Sequence, residues 1–558
     1  MKETLEILVE KALRALSIEM ESISFEHPDE MSHGDYSTNI ALVLAKKLAK
    51  NPRDIANQIV VEIQENPFPK EISKVEVAGA GFINFYLSQK YFADGVKDIL
   101  KQGKKFGQSK IGAKKKVLVE YSSPNIAKPF TVGHLRSTVI GDAVANISLA
   151  CGYKVIRDNH LGDWGTQFGK VIVAIKKWGD ESMIEKSKNP VKDLVDLYVK
   201  FHDEAEKDAT LSEEAREWFL KLEKGDKEAK RIWKKCIDWS MLEFEKIYKR
   251  LGVHFDTTLG ESFFKDKTGA VYEELEAKKL MRESEGARVV FFEDEKLPPL
   301  IVKKTNDTTI YAARDLAADL YRKEKYGAGL KIINEVGSEQ TLYFRQIYEV
   351  EKMLGWFAEG ERVHVMHGLY RFEDGKMSTR KGNVIWLEDI LDEAVKRAGE
   401  VNPECADIVG IGAIKFNDLR RNSKQDIVFK WEDVLNLTGD SGPYIQYSAV
   451  RSRSVLTKAE EEGVKESLKV VPEKDFGVER LIGRFPEVVE RACGEYAPHY
   501  IATYLIELSA AFNGFYGREK IVDATDEFSP YKVALSHAVS IVLENGLTLL
   551  GIQVPSKM

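Results

Sequence analysis

The chain has 558 residues, 43% hydrophobic and 31% charged, with 82 Lys and Arg against 89 Asp and Glu for a net charge of −7. That length exceeds what one hydrophobic core usually organises, so three or more domains are expected in a well-packed globular protein. No apolar run reaches the roughly 18 to 20 residues of a membrane span, and the acidic balance excludes a uniformly basic nucleic-acid binder, so any nucleic acid has to be held by local patches.

The N-terminus (Met1 to Leu16) reads as an amphipathic helix carrying acids rather than a leader, which places the protein in the cytoplasm. Cys151, Cys236, Cys405 and Cys493 lie far apart with no Cys-x-x-Cys pair, so they are expected to be packing residues, with no disulfide framework and no structural metal. Helical stretches at Ile40 to Leu48 and Ile55 to Ile63 precede a strand-like run, Val75 to Leu87, broken by Gly79 and Gly81. A compact α+β module is expected here. Lys101, Lys104, Lys105, Lys110, Lys114, Lys115 and Lys116 follow with no acid among them, a pattern that suits a solvated linker as well as phosphate contact.

Val117 to Tyr121 reads as a strand, followed by a loop with Pro124 and Pro129 and a helix from about Gly133 to Ala150, the opening of a parallel α/β sheet. A second strand is expected at Tyr153 to Ile156. From about Lys176 to Arg250 the pattern is charged and helical, with Trp218, Trp233 and Trp239 interleaved, as in a helical insertion. Strand-like segments return at Ala287 to Phe292, Leu300 to Val302, Lys331 to Val336 and Val363 to Met366, so the sheet is expected to be split around that insertion. After about Leu435 the chain reads as almost wholly helical.

Two segments carry chemistry. Pro124-Asn125-Ile126-Ala127-Lys128-Pro129-Phe130-Thr131-Val132-Gly133-His134 leaves the first strand and enters its helix, where backbone N–H groups bind anions and Gly133 leaves room for a nucleotide. Alone, a Gly-His pair fits a capping or core histidine at least as well. The second segment, Lys376-Met377-Ser378-Thr379-Arg380-Lys381-Gly382-Asn383, offers three cations in a glycine-flanked loop after the last strand, suited to a triphosphate under attack at its α-phosphorus. In isolation a charge run is more often just a solvated face; the pairing of both segments on one split sheet is far more specific.

With these two motifs the chain resembles class I aminoacyl-tRNA synthetases, and most closely the arginyl family. The resemblance extends over nearly the full length, through Glu120-Tyr-Ser-Ser-Pro-Asn125, Leu161-Gly-Asp-Trp-Gly-Thr-Gln-Phe168, Tyr311-Ala-Ala-Arg-Asp315 and Met377 to Gly382. His33-Gly-Asp-Tyr36 and Gly81-Phe-Ile-Asn84 resemble that family's N-terminal module, and Gly442-Pro-Tyr-Ile-Gln-Tyr447 the opening of its helical anticodon-binding domain. The resemblance implies a Rossmann-type α/β catalytic domain at 111–390 with a helical insertion at about 176–260, flanked by an α+β tRNA-elbow module with its basic linker at 1–110, a connecting helical segment at 391–436 and an all-helical domain at 437–558.

It further implies ligation of L-arginine to tRNA(Arg) through an arginyl-adenylate, with ATP as its Mg²⁺ complex, pyrophosphate and AMP as products, the 2′-hydroxyl as first acceptor, and tRNA bound before activation. A monomer that contacts no membrane is expected. Catalytic roles carry over to Lys128, His134, Lys376, Ser378, Arg380 and Lys381, arginine binding to Glu120, Asn125, Tyr311, Asp315 and Gln340, and tRNA binding to Asn84, Tyr516 and Met558. A guanidinium has five donors in a fixed fork, so carboxylates and neutral acceptors are the groups to expect around it. Tyr311 and Asp315, four apart in a helical pattern, share one face; the plain alternative for Asp315 is an ion pair with Arg314 or Arg322. The chain departs from the family at Thr131, where the first motif usually has histidine, and at Thr379, where the second has lysine. In arginyl enzymes of this type the pattern implies that Lys128 supplies the missing charge.

Overall fold

Val117, Leu118 and Val119 are all buried, so their strand is covered on both faces, the mark of a central strand in a parallel sheet. The computed structural model describes residues 1–19, 22–28, 30–65, 67, 69–293, 297–303, 310–371 and 385–558. By its contacts the chain divides into one unit of Met1–Phe106, Ser448–Pro486 and Glu507–Asn545, and another of Gly107–Tyr447, Glu487–Ile506 and Gly546–Met558.

In the first unit, β1 (Tyr36–Thr38), β2 (Ile72–Ala78) and β3 (Phe82–Leu87) form an antiparallel sheet in the order β1-β3-β2. Gly79 and Gly81, expected to interrupt a single run, instead turn a hairpin between β2 and β3. Helices Lys2–Ala15, Ile40–Leu48 and Pro52–Gln64 supply a core around Leu5, Val9, Ile55, Ile59, Ile83 and Phe85. Asn51 caps the third helix by accepting the Arg53 N–H at 2.9 Å, with Pro52 in its first turn where no N–H is needed. The same unit holds the packed aromatics Phe476, Phe512, Phe515 and Tyr531 from the later helices.

In the second unit, β4 (Lys116–Glu120), β5 (Lys154–Asn159), β6 (Thr257–Thr258), β10 (Lys331–Gly337) and β11 (Arg362–His367) make a parallel sheet in the order β11-β10-β4-β5-β6. Helix Val132–Ala150 connects β4 to β5, and helices from Gln167–Trp178 to Lys227–Leu251 stand between β5 and β6 as the insertion. The two flanks of β4 are reached by connections running in opposite directions, so the crevice at the carboxyl ends of β4 and β10 is the switch point where such sheets bind ligands.

Two of the strand segments expected in this sheet are elsewhere. β7 (Met281–Ser284), β8 (Ala287–Val290) and β9 (Leu300–Lys303) form a separate antiparallel sheet. The reason is visible in β9: Leu300 and Val302 are buried while Ile301 between them is exposed, the alternation of a sheet with only one covered face. A short parallel pair, β12 (Tyr370–Arg371) and β13 (Ile427–Val428), follows the last strand. No helix of the described residues is long and apolar enough to cross a membrane. All four cysteines are buried and unbridged, and the seven lysines from Lys101 to Lys116 are exposed.

Candidate active site

Sheet register brings a polar row to the carboxyl edge: Asn334 of β10 lies opposite Glu120 of β4, which lies opposite Asp158 of β5. Above it a cavity of about 640 Å³ is walled by Glu120, Ser122, Ser123 and Asn125 after β4, His160 and Gly162 after β5, and Gly337, Gln340 and Tyr343 after β10. Thr131, Gly133 and His134 close one side; Glu261, Tyr311 and Asp315 close another.

The loop leaving β4 is under backbone strain. Ser122, Ser123 and Ala127 have φ of 69°, 44° and 57°, a left-handed region disfavoured for side chains. Hydrogen bonds hold it there: the Ser122 N–H donates to Ser137 Oγ at 2.9 Å, the Ser123 N–H to Asn159 Oδ1 at 3.1 Å and the Ala127 N–H to Ser240 Oγ at 3.0 Å. Asn125 bridges to Gly162 across the crevice, and a Cβ at position 162 would come within 2.3 Å of Asn125 Oδ1, so only glycine admits that side chain.

Thr131 begins helix Val132–Ala150, and its N–H donates to His134 Nδ1 at 3.0 Å. This fixes the ring's tautomer. With Nδ1 accepting, Nε2 carries the proton and is the atom left to donate to a ligand. Burial drives the His134 pKa down to about 4, the Lys128 charge adding to the shift, so the ring is neutral at ordinary pH. The capping expected of this histidine is therefore present through Nδ1, and the residue also lines the cavity.

Tyr311 and Asp315 share one face of helix Tyr311–Tyr326, as their spacing requires, and both line the cavity. The ion pairs of the neighbouring arginines go elsewhere: Arg314 reaches Glu261 at 3.0 Å, and Arg322 reaches Glu120 at 2.6 Å together with Asp158 and Asp319. Asp315 accepts a hydrogen bond from the Tyr343 hydroxyl and stands 3.8 Å from His160 Nε2. Burial raises the Asp315 pKa, with His160 and Tyr343 opposing. Burial likewise lifts Glu261 to about 7 against the pull of Arg314. At Glu120 burial pushes upward too, but the Arg322 guanidinium with His160 outweighs it and holds the carboxyl below its usual range.

Sequence reasoning missed His160, Glu261 and Tyr343. Nothing local marks them, since they come from three separate segments; His160 stands one residue before the quoted Leu161 motif. Gln340 sits exposed at the cavity rim in the turn after β10. Pro124, Ile126, Pro129, Phe130 and Val132 shape the loop and its packing rather than the cavity wall, Phe130 stacking on the His134 ring at 5.0 Å. Lys128 is exposed and does not line the cavity, although its environment lowers its pKa, burial first, with Glu261 opposing. Lys376, Ser378, Arg380 and Lys381 lie outside the described residues.

Of the residues tied to tRNA, Asn84 is buried on β3 and its Oδ1 accepts from Ser37 Oγ at 2.7 Å. Tyr516 is exposed with the Arg451 guanidinium 5.0 Å over its ring, and Met558 packs on Ala398, Cys405 and Val409.

Residues 95–431 match the model of the class I tRNA synthetase (R) catalytic domain, residues 445–558 the DALR anticodon binding domain, and residues 3–87 the arginyl tRNA synthetase N terminal domain. The arginine–tRNA ligase of Halothermothrix orenii is 41% identical over 570 residues, with 100% of this chain and 99% of that protein covered. That of Clostridium acetobutylicum is 41% identical over 567 residues, covering 99% of each. The solved arginyl-tRNA synthetase of Thermus thermophilus shares the fold at a TM-score of 0.81 and 24% identity, covering 100% of both chains. A catalytic-domain match spanning more than half the chain, joined to full-length relatives at this identity, places the protein in the arginyl-tRNA synthetase family of class I aminoacyl-tRNA synthetases.

Proposed function

We propose that this chain is an arginine–tRNA ligase: the carboxylate of arginine attacks the α-phosphorus of ATP, pyrophosphate leaves with Mg²⁺, and a terminal ribose hydroxyl of tRNA(Arg) then takes the arginyl group and releases AMP. The observation that carries this reading is Asp315, a carboxylate set in a switch-point cavity while Arg314 and Arg322 of the same helix pair with other acids. A carboxylate so placed offers the charge that a ligand guanidinium needs, and Asn125, Tyr311 and Gln340 add neutral groups around the same space.

In this scheme the His134 Nε2–H donates to the nucleotide, next to the N-terminus of its helix, where backbone N–H groups favour phosphate. Lys128 and the cations of Lys376, Arg380 and Lys381 neutralise charge as it gathers on the α-phosphorus, with Ser378 a hydroxyl donor. No covalent enzyme intermediate is needed, so catalysis rests on positioning and preorganised charge. Tyr516, Met558 and Asn84 are assigned to tRNA, and the protein to a cytoplasmic monomer, on the family pattern.

The test is ATP–pyrophosphate exchange with each amino acid, run with and without tRNA(Arg). Exchange that requires arginine and tRNA together supports the scheme. Exchange with another amino acid would replace the substrate, and none at all with tRNA present would mark a binding protein that has lost its chemistry. The departure at Thr131 does not favour the latter, because that residue still receives a cap from His134.

A further inference from the structure

Glu120 and Asp158 are paired in register on adjacent parallel strands, which sets two carboxylates side by side at the carboxyl ends of the strands, spaced by roughly 4.8 Å. Like charges so close repel unless a cation stands between them. Arg322 is that cation. It lies on helix Tyr311–Tyr326 seven residues beyond Asp315, two turns along the same face. Its Nη2 reaches Glu120 Oε2 at 2.6 Å and also contacts Asp158, while its Nη1 donates to Asp319 at 2.8 Å. Asp319 is shared with Arg362 at 2.5 Å, and Arg362 with Glu351 at 2.7 Å. A guanidinium thus stands in the wall of a cavity assigned to a guanidinium ligand, with its charge spent on the protein's own acids.

We propose that Arg322 is a positioning residue for the substrate arginine: it holds the Glu120 carboxylate charged and in one orientation, ready for the incoming cation. The inference rests on the reading of this cavity as the arginine site. A planar fork that bonds three carboxylates at once is specific to arginine, whereas a lysine offers one compact charge. The groups facing Glu120 are Arg322, Asp319 and Asp315 from one helix, Asp158 in register on β5, His160 after β5 and Tyr348 from helix Thr341–Leu354. Without Arg322, burial and the neighbouring aspartates favour the protonated form, with His160 opposing.

The experiment is steady-state arginylation by Arg322→Gln, Arg322→Lys, Glu120→Gln and Glu120→Gln/Arg322→Gln across pH 6.5 to 9. For Arg322→Gln the arginine KM should rise about tenfold or more at pH 7 and fall back as pH increases, with the ATP KM and saturated kcat within about threefold. Arg322→Lys should give a smaller rise with a flatter pH profile. Because Arg322 acts through Glu120, the double variant should match Glu120→Gln within about twofold in arginine KM. A rise in KM whose pH trend is no steeper than that of the wild-type enzyme, an equal loss for ATP, or additive effects in the cycle would overturn the proposal and leave Arg322 a structural residue. A normal arginine KM for Glu120→Gln would instead sink the arginine-site reading, a separable result. Should Arg322→Gln not fold, the same cycle run with Arg322→Lys decides between coupling and additivity.

Discussion

His134 Nδ1 accepts the N–H of Thr131 at 3.0 Å, and the proposed nucleotide contact falls to the other ring nitrogen, Nε2. The amides of Asn and Gln separate them, because Asn places an oxygen near Nδ1 and Gln a nitrogen near Nε2. His134→Asn should keep the cap and thermal stability while lowering kcat for pyrophosphate exchange by about 10² to 10³, the usual effect of removing one preorganised donor. His134→Gln should keep more activity and lose stability by about 1 kcal/mol, the typical worth of a cap. The pH sign follows from the depressed pKa: the native ring, titrating near 4, binds fewer protons than the unfolded one at 6.5. Stability contributed by the neutral ring is present above pH 6.5 and is lost as pH falls from there towards 4. Equal unfolding slopes for wild type and His134→Asn over that window, measured in denaturant, would contradict the assignment.

Asp315→Asn should raise the arginine KM at least about 30-fold, since truncating one partner of a buried charge pair costs roughly 2 kcal/mol or more, while the ATP KM changes little. Tyr311→Phe removes a neutral hydrogen bond and should cost about 0.5 to 1.5 kcal/mol. Reversal of that order in arginine KM measurements would move the guanidinium away from Asp315.

Arginine binding should release protons near neutral pH. Glu261, lifted to about 7 chiefly by burial, and Asp315, also raised by burial, are both more readily protonated in the empty cavity than ordinary carboxyls. A bound cation favours their charged forms, so the pKa values drop and protons leave. Affinity should therefore weaken as pH falls through about 7. Calorimetric titration in buffers of different ionisation enthalpy checks this, and Glu261→Gln should reduce the release; identical heats in every buffer would refute it.

Legibility in the sequence followed burial. β4, apolar on both faces, and helix Val132–Ala150, opened by Thr131, were readable because local pattern and tertiary role agree there. β8 and β9 were readable as strands but not assignable to a sheet, since a short run of Val and Ile does not say which neighbour pairs with it. The site was half legible. Residues inside motifs could be named, whereas His160, Glu261 and Tyr343 meet Asp315 only through the sheet's crossovers. The N-terminal motif had a structural meaning that sequence could not convey: Asp35 accepts the Leu87 N–H at 2.7 Å, a Cβ on Gly34 would meet Phe85 O at 2.7 Å, and Asn84 bonds Ser37.

Lys128 is the residue we propose for the charge that the second motif lacks at Thr379. Adenylate formation gathers negative charge on the α-phosphorus, and a preorganised cation there is worth a few kcal/mol. Thr379 has no charge to give, and Arg380 and Lys381, its neighbours in the sequence, lie outside the described residues. Lys128 lies in the strained loop between β4 and helix Val132–Ala150, its backbone restricted by Pro129 and by the left-handed Ala127 before it. Its side chain is exposed, yet its charge is felt at His134, so it stands beside the His134 side of the cavity rather than in its wall. A lysine there can swing onto a phosphate when ATP enters. Lys128→Ala should lower kcat for arginine-dependent exchange by about two orders of magnitude, with a smaller effect on tRNA binding. Lys128→Ala with Thr379→Lys should recover part of that loss, because the charge returns from the other motif. A single variant with near-normal kcat would transfer the role to Arg380 or Lys381, and a double variant no better than the single would show that the two positions do not serve the same phosphate.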